Sequence, residues 1–141
     1  MRYAIIALIL NPDIQRRAHE ELDAVLGSAD NVNFRLPSFD DRPHLPYIDA
    51  LVKESLRWIP VAATGVAHAS TEEDEYKGFR IPKGSIVIVN EWGLLHDETV
   101  YSDPYTFRPD RFLSSSENKP EPDPADFGIF GFGRRYGYLQ Q

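Results

Sequence analysis

The chain has 141 residues, enough for one ordinary domain, and 42% of them are hydrophobic, so a core is possible. Its formal net charge of -7 argues against a nucleic-acid partner, because phosphate binding depends on clustered Lys and Arg. It has no cysteine, which excludes a disulfide, a thiolate metal ligand and a thiol nucleophile.

The opening, Met1 to Leu10, has one basic residue and then an apolar run, like the start of a secretory signal. It is too short to span a bilayer, and Asn11-Pro12-Asp13 follows at once with no small-residue cleavage site. It reads instead as the buried end of a helix whose beginning lies upstream. No transmembrane segment is expected within the chain. Asn11-Pro12 is a helix start, with Asn at the N-cap and Pro at the first helical position. Ile14, Ala18, Leu22, Val25 and Leu26 keep helical spacing, and Gly27 suits the helix end. Ser28 to His44 reads as an extended linker, since Asp, Asn, Ser and Pro break any period.

Leu45 to Pro60 is the strongest helical signal. Pro46 suits its first turn, and Pro60 stops it. Ile48, Leu51, Val52, Ser55, Leu56 and Ile59 predict one buried stripe. Glu54 and Arg57 are neighbours on another face, and such a pair on a solvated helix contributes roughly 0.2–0.5 kcal/mol. Val61 to Ser70 is small, apolar and aperiodic, consistent with extended chain. Glu72 to Glu75 predicts a solvated acidic loop rather than a metal site. Tyr76 to Ile81 alternates, Pro82-Lys83-Gly84 is turn chemistry, and Ser85 to Asn90 is β-branched, so these predict a hairpin with a buried second strand. Glu91 to Val100 predicts a short helix packed through Trp92, Leu94 and Leu95. From Tyr101 onward the signals are loops, with Phe107, Phe112, Phe127, Phe130 and Phe132 requiring somewhere to pack. The fold class expected is mainly α with a small β-sheet, α+β.

Four stretches then add up. Glu54-Ser-Leu-Arg57, the Tyr76 to Gly84 segment ending Ile-Pro-Lys-Gly, Phe107-Arg-Pro-Asp-Arg-Phe112 and Phe130-Gly-Phe-Gly-Arg-Arg135 occur in this order. Together they resemble the C-terminal part of a cytochrome P450, a haem-thiolate monooxygenase of the fungal microsomal type. They match that family's E-x-x-R helix, the strand pair after it, the F-x-P-x-R-F meander and the start of the haem-binding loop. The resemblance covers the chain from the helix at Asn11 to Arg135. It implies a haem cofactor, a small organic substrate, O2 and electrons from NADPH-cytochrome P450 reductase. It also implies a buried network of Glu54, Arg57 and Arg111, a structural role rather than a chemical one. His68 and Arg135 would contact haem propionates, and Phe130 and Gly133 would shape the loop. Ala62 to Gly65 would run beside the pocket. His19, His44 and His96 are assigned nothing. The longer family proteins are expected at the endoplasmic-reticulum membrane.

The sequence departs from the family at one decisive point. Aligned on Phe130, Gly133 and Arg135, the family's iron-ligating cysteine falls on Gly137. That thiolate is the axial ligand whose electron donation favours O–O cleavage. No catalytic residue is assigned. The oxygen-activating helix would lie before Met1 and a further helix after Gln141. The expectation is therefore a partial cytochrome P450 domain over 1–141, inactive by itself. The alternative is a folded remnant acting as a non-catalytic binding or regulatory module. Phe130 to Tyr138 also has aromatics among Gly and Arg, like an RNA-recognition strand, but the net charge and a missing basic residue oppose that reading. It is not a dinucleotide fingerprint either, because its glycines are misplaced.

Overall fold

The computed structural model describes residues 2–28, 34–114 and 119–132. Helices dominate it, and two small antiparallel sheets complete an α+β arrangement. Helices α1 (Arg2–Leu10) and α2 (Pro12–Leu26) meet at Asn11. The Asn11 side chain does not cap α2; its Nδ2 donates backward to the Ala7 carbonyl at 2.8 Å and fixes the joint. Gly27 ends α2 at φ 84°, a conformation that costs glycine nothing. Of α1 only Ala7 is buried, while Ile5, Ile9 and Leu10 lie exposed, so the expected buried helix end has no cover among the described residues.

The stretch read as a linker is partly ordered into a 3-10 helix, Phe39–His44. Asp41 organises it. Its carboxylate accepts from Ser38 N at 2.8 Å, from Ser38 Oγ at 3.0 Å and from both Arg35 terminal nitrogens at 2.6 and 2.7 Å. The Arg35 hydrogen bonds and the Ser38 N–H hold that carboxyl well below the usual carboxylate range.

Helix α3 (Pro46–Trp58) forms where its periodicity places it, with Pro46 at the first turn. The buried face, however, is not the expected stripe. Tyr47, Ala50, Glu54 and Arg57 are buried, whereas Val52 is half exposed. Of that stripe, Ile48, Val52 and Leu56 instead line an open groove of about 660 Å³ together with Leu45, Phe39 and Phe130.

The hairpin also differs from expectation. Strands β2 (Asp74–Tyr76) and β3 (Phe79–Ile81) pair with each other, Tyr76 opposite Phe79. Lys77 and Gly78 both take positive φ, 51° and 83°, the tight two-residue turn that matches strand twist. Half of the acidic loop is thereby drawn into a strand, and Arg80 relieves the charge through two bonds to Glu73. The strand expected across 85–90 shrinks to β4 (Ile86–Val87). It pairs with β1 (His68–Ala69) in a separate sheet and is exposed rather than buried.

Helix α4 (Glu91–Leu95) starts at Asn90, whose side chain accepts from Gly93 N at 3.0 Å. Leu95 is fully buried, and Trp92 and Leu94 are half exposed. His96 stacks on Trp92 at 4.3 Å, with its Nδ1 bonded to the Trp92 carbonyl. The core joins Ala50, Leu95, Tyr101 and Phe112, with Val100, Leu113, Phe127 and Ile129 packed around it. Of the five late phenylalanines, Phe107 and Phe112 are buried, whereas Phe132 is 72% exposed. Two further 3-10 helices, Pro109–Phe112 and Pro124–Phe127, shape the irregular chain.

Candidate functional site

Helix α3 carries Glu54 and Arg57 one turn apart on its inner face, both fully buried. Arg57 Nε donates to Glu54 Oε2 at 2.7 Å and Nη2 to Oε1 at 3.0 Å, a two-bonded fork. The remaining Arg57 donors reach outward, Nη1 to the Leu95 carbonyl and Nη2 to the Pro104 carbonyl, both at 2.8 Å. One side chain thus fastens the end of α4 and the following loop to α3. The Tyr101 ring lies 5.3 Å from the guanidinium carbon, within cation–π range.

The 108–112 segment closes the other side. Pro109 opens its 3-10 helix, and the Arg108 N–H just before it donates to Glu54 Oε1 at 2.8 Å. Arg111 Nε stands 3.2 Å from Glu54 Oε2. Its Nη1 donates to the Ser102 carbonyl and to Glu121 Oε2, both at 2.6 Å. Its Nη2 donates to the Asp103 and Thr106 carbonyls at 3.2 Å. The structure therefore brings Glu54, Arg57 and Arg111 together around one carboxylate.

Sequence reasoning missed Glu121. Two guanidiniums against Glu54 alone would leave a net positive charge in the interior, and burying unpaired charge is costly. Glu121 supplies the second carboxylate. No periodicity marks it, because it sits in the Pro-rich 119–124 stretch. Burial pushes its carboxyl up, but the Ser102 and Arg111 hydrogen bonds and the Arg111 charge outweigh this and hold it below its usual range.

The network contains no nucleophile or general base aimed into a cleft. What it can do is hold irregular chain rigidly against α3. Of the expected cofactor contacts, His68 lies exposed on β1 opposite Val87, and Phe130 is 41% exposed on the rim of the groove. Gly133, Arg135 and Gly137 lie outside the described residues. Gly128 has φ 79°, and a Cβ there would run into the Phe132 ring, so the loop turns tightly just before them.

The donor set does not fit a haem-thiolate iron. The chain has no cysteine, and the described residues contain no group of three His, Asp or Glu side chains placed to hold a metal. The chain offers no axial thiolate. Among the described residues no helix is long and apolar enough to cross a membrane.

Comparison with known proteins places these features. Residues 1–136 match the cytochrome P450 family model. A cytochrome P450 monooxygenase of Armillaria gallica is 49% identical over 131 residues, 93% of this chain and 24% of that protein. The cytochrome P450 monooxygenase ppsD of Aspergillus oryzae is 50% identical over 135 residues, 94% of this chain and 24% of that protein. The O-methylsterigmatocystin oxidoreductase of Aspergillus flavus is 45% identical over 130 residues, 92% of this chain and 24% of that protein. The chain spans about a quarter of the length of the curated relatives it matches. The match runs through the α3 pair, the hairpin and the Arg111 segment that closes on Glu54, and the chain belongs to the cytochrome P450 family.

Proposed function

We propose that this chain is the scaffold around the haem loop of a haem-dependent monooxygenase, and that these 141 residues by themselves oxygenate nothing. The observation that carries the reading is the buried Glu54–Arg57–Arg111 network, which ties the approach to the loop onto α3. The family's chemistry needs a haem iron held by a thiolate in a water-excluded pocket. The family's cysteine position is Gly137 here, so the iron has no thiolate from this chain.

In a longer protein that supplies the ligand, the activity proposed is monooxygenation of a small organic substrate. O2 would be the oxidant, and NADPH-cytochrome P450 reductase the electron donor. His68 and Arg135 would face the haem propionates, with Phe130 and Gly133 in the loop. Attachment to the endoplasmic-reticulum membrane belongs to the same proposal.

The test is a haem titration of the purified chain, followed by reduction under carbon monoxide. The expected result is no thiolate-type spectrum and no NADPH consumption with the reductase. Turnover by the unaltered chain would overturn the proposed inactivity. Gly137→Cys then tests the register of the loop: a thiolate-type spectrum in that variant alone supports the assignment of Gly137 to the ligand position.

A further inference from the structure

The residues 121–123 do more than neutralise the network. Glu121 N donates to the Arg111 carbonyl at 2.8 Å, and Glu121 Oε2 accepts from Arg111 Nη1 at 2.6 Å. Its Oε1 accepts from Ser102 Oγ at 2.5 Å and from Ser102 N at 3.3 Å. One position on, the Pro122 carbonyl accepts from the Tyr101 hydroxyl at 3.1 Å. One further, Asp123 pairs with Lys53 of α3 at 3.1 Å and also accepts from Ala125 N, opening the Pro124–Phe127 turn. Three consecutive residues are thus held by three different parts of the fold. The backbone then runs directly into the 124–132 loop, where Asp126 N bonds to the Asp123 carbonyl and Gly128 N to the Ala125 carbonyl.

We infer that Glu121 is a positioning residue for the 124–132 loop, coupling the buried Glu54–Arg57–Arg111 network to the course of the chain that enters it. The anchoring is a property of this chain; only its meaning for a haem loop rests on the function proposed above. The geometry separates Glu121 from an ordinary surface carboxylate. It uses one oxygen and its own backbone N–H on Arg111, which is itself bonded to Glu54 of α3, and the other oxygen on Ser102. A charge-assisted bond to a largely buried guanidinium is among the stronger side-chain bonds. Its loss leaves Arg111 Nη1 short of an acceptor and the interior with excess positive charge. The charged and titratable groups facing the Glu121 carboxyl are Arg111, Arg108 at 3.7 Å, and Tyr101.

The test is amide hydrogen exchange on the full chain, comparing the native sequence with Glu121→Gln and Glu121→Asp. In Glu121→Gln the Asp126 and Gly128 amides should exchange about tenfold faster, while amides in α3 change by less than about twofold. Glu121→Asp, which keeps the charge, should recover part of the protection. A pH series adds a signature that simple packing does not give. Native loop protection should fall in acid as Glu121 takes up a proton, and the Gln variant should lack that step. If Glu121→Gln does not fold, Ser102→Ala removes the hydroxyl that donates to Glu121 and accepts from Arg108 Nη2, leaves the Arg111 bond to Glu121 in place, and should shift the loop amides in the same direction by less. Unchanged loop exchange in the variants, or an equal rise in α3, overturns the inference. Neither result bears on the haem titration, so failure of the inference and failure of the proposed function remain distinguishable.

Discussion

Glu21 of α2 caps a helix other than its own: its Oε1 accepts from Tyr47 N and its Oε2 from Ile48 N, both at 2.9 Å. Helix α3 begins after Leu45, which has no side-chain oxygen to offer the first-turn N–H groups. The carboxylate from α2 fills that role and also meets the positive end of the helix dipole. Glu21→Ala should therefore cost about 1–2 kcal/mol of stability, measured by urea unfolding. Glu21→Gln, with a single acceptor, should retain part of it. Glu20→Ala, which loses only an exposed pair with Arg16, should fall within about 0.5 kcal/mol of the native chain. A Glu21→Ala chain as stable as Glu20→Ala would mean the cap contributes nothing.

The buried network predicts a non-additive series. Removing Glu54 leaves Arg57 and Arg111 without the buried carboxylate they share, and removing Arg57 leaves that carboxylate with Arg111 as its one cation, at a cost of about 3–5 kcal/mol each. Glu54→Met with Arg57→Met removes both charges while keeping volume, and should cost clearly less than the sum of the two single truncations. It will not reach zero, because the Leu95 and Pro104 carbonyls lose their donor and Arg111 Nε and the Arg108 N–H lose Glu54. Additive losses in denaturant unfolding would place the two residues outside one cooperative unit.

Glu91 gives a pH dependence of opposite sign to the paired carboxylates. It is 4% exposed, its Oε2 has no hydrogen-bond partner among the described residues, and burial pushes its carboxyl up from the ordinary value of 4.5. The folded chain therefore binds this proton more tightly than the unfolded chain. The stabilisation is complete below 4.5 and is lost as pH rises through the raised folded value. Glu91→Gln should thus unfold at a higher temperature than the native chain at neutral pH, with the gap closing in acid. A gap that is constant across pH would show that Glu91 ionises in place at no cost.

What the sequence reveals here depends on how local the cause is. Helices α2 and α3 and the stop at Pro60 follow from periodicity and proline, which act within a few residues. The Glu54–Arg57–Arg111 set became legible only through a family motif, because Arg111 lies 57 positions from Glu54. Glu21 and Glu121 are invisible in the sequence because their partners are backbone groups, a serine hydroxyl and an arginine far along the chain, and no spacing rule reaches them. The hairpin was misplaced for the reverse reason. Pro82-Lys83-Gly84 is an ordinary turn signal, but Lys77-Gly78, only two residues long, closes the tighter hairpin and takes the pairing.

The face of α3 is the remaining error, and it yields a sharp test. Apolar spacing pointed to Val52 and its stripe as the inside, yet charge pairing turned Ala50, Glu54 and Arg57 inward. A buried ion network can outcompete an apolar stripe for the interior when irregular chain supplies its partners, as the 102–111 segment does here. Val52→Lys should then change the stability of this chain by no more than about 0.5 kcal/mol, since Val52 is 50% exposed. Ala50→Leu, though it adds an apolar side chain, should cost about 1–3 kcal/mol, because Ala50 is 2% exposed against Leu95, Tyr101 and Phe112. Denaturant unfolding of the two variants reads the result directly. The reverse order, Val52→Lys more damaging than Ala50→Leu, would restore the apolar stripe as the buried face and remove the groove from the molecule.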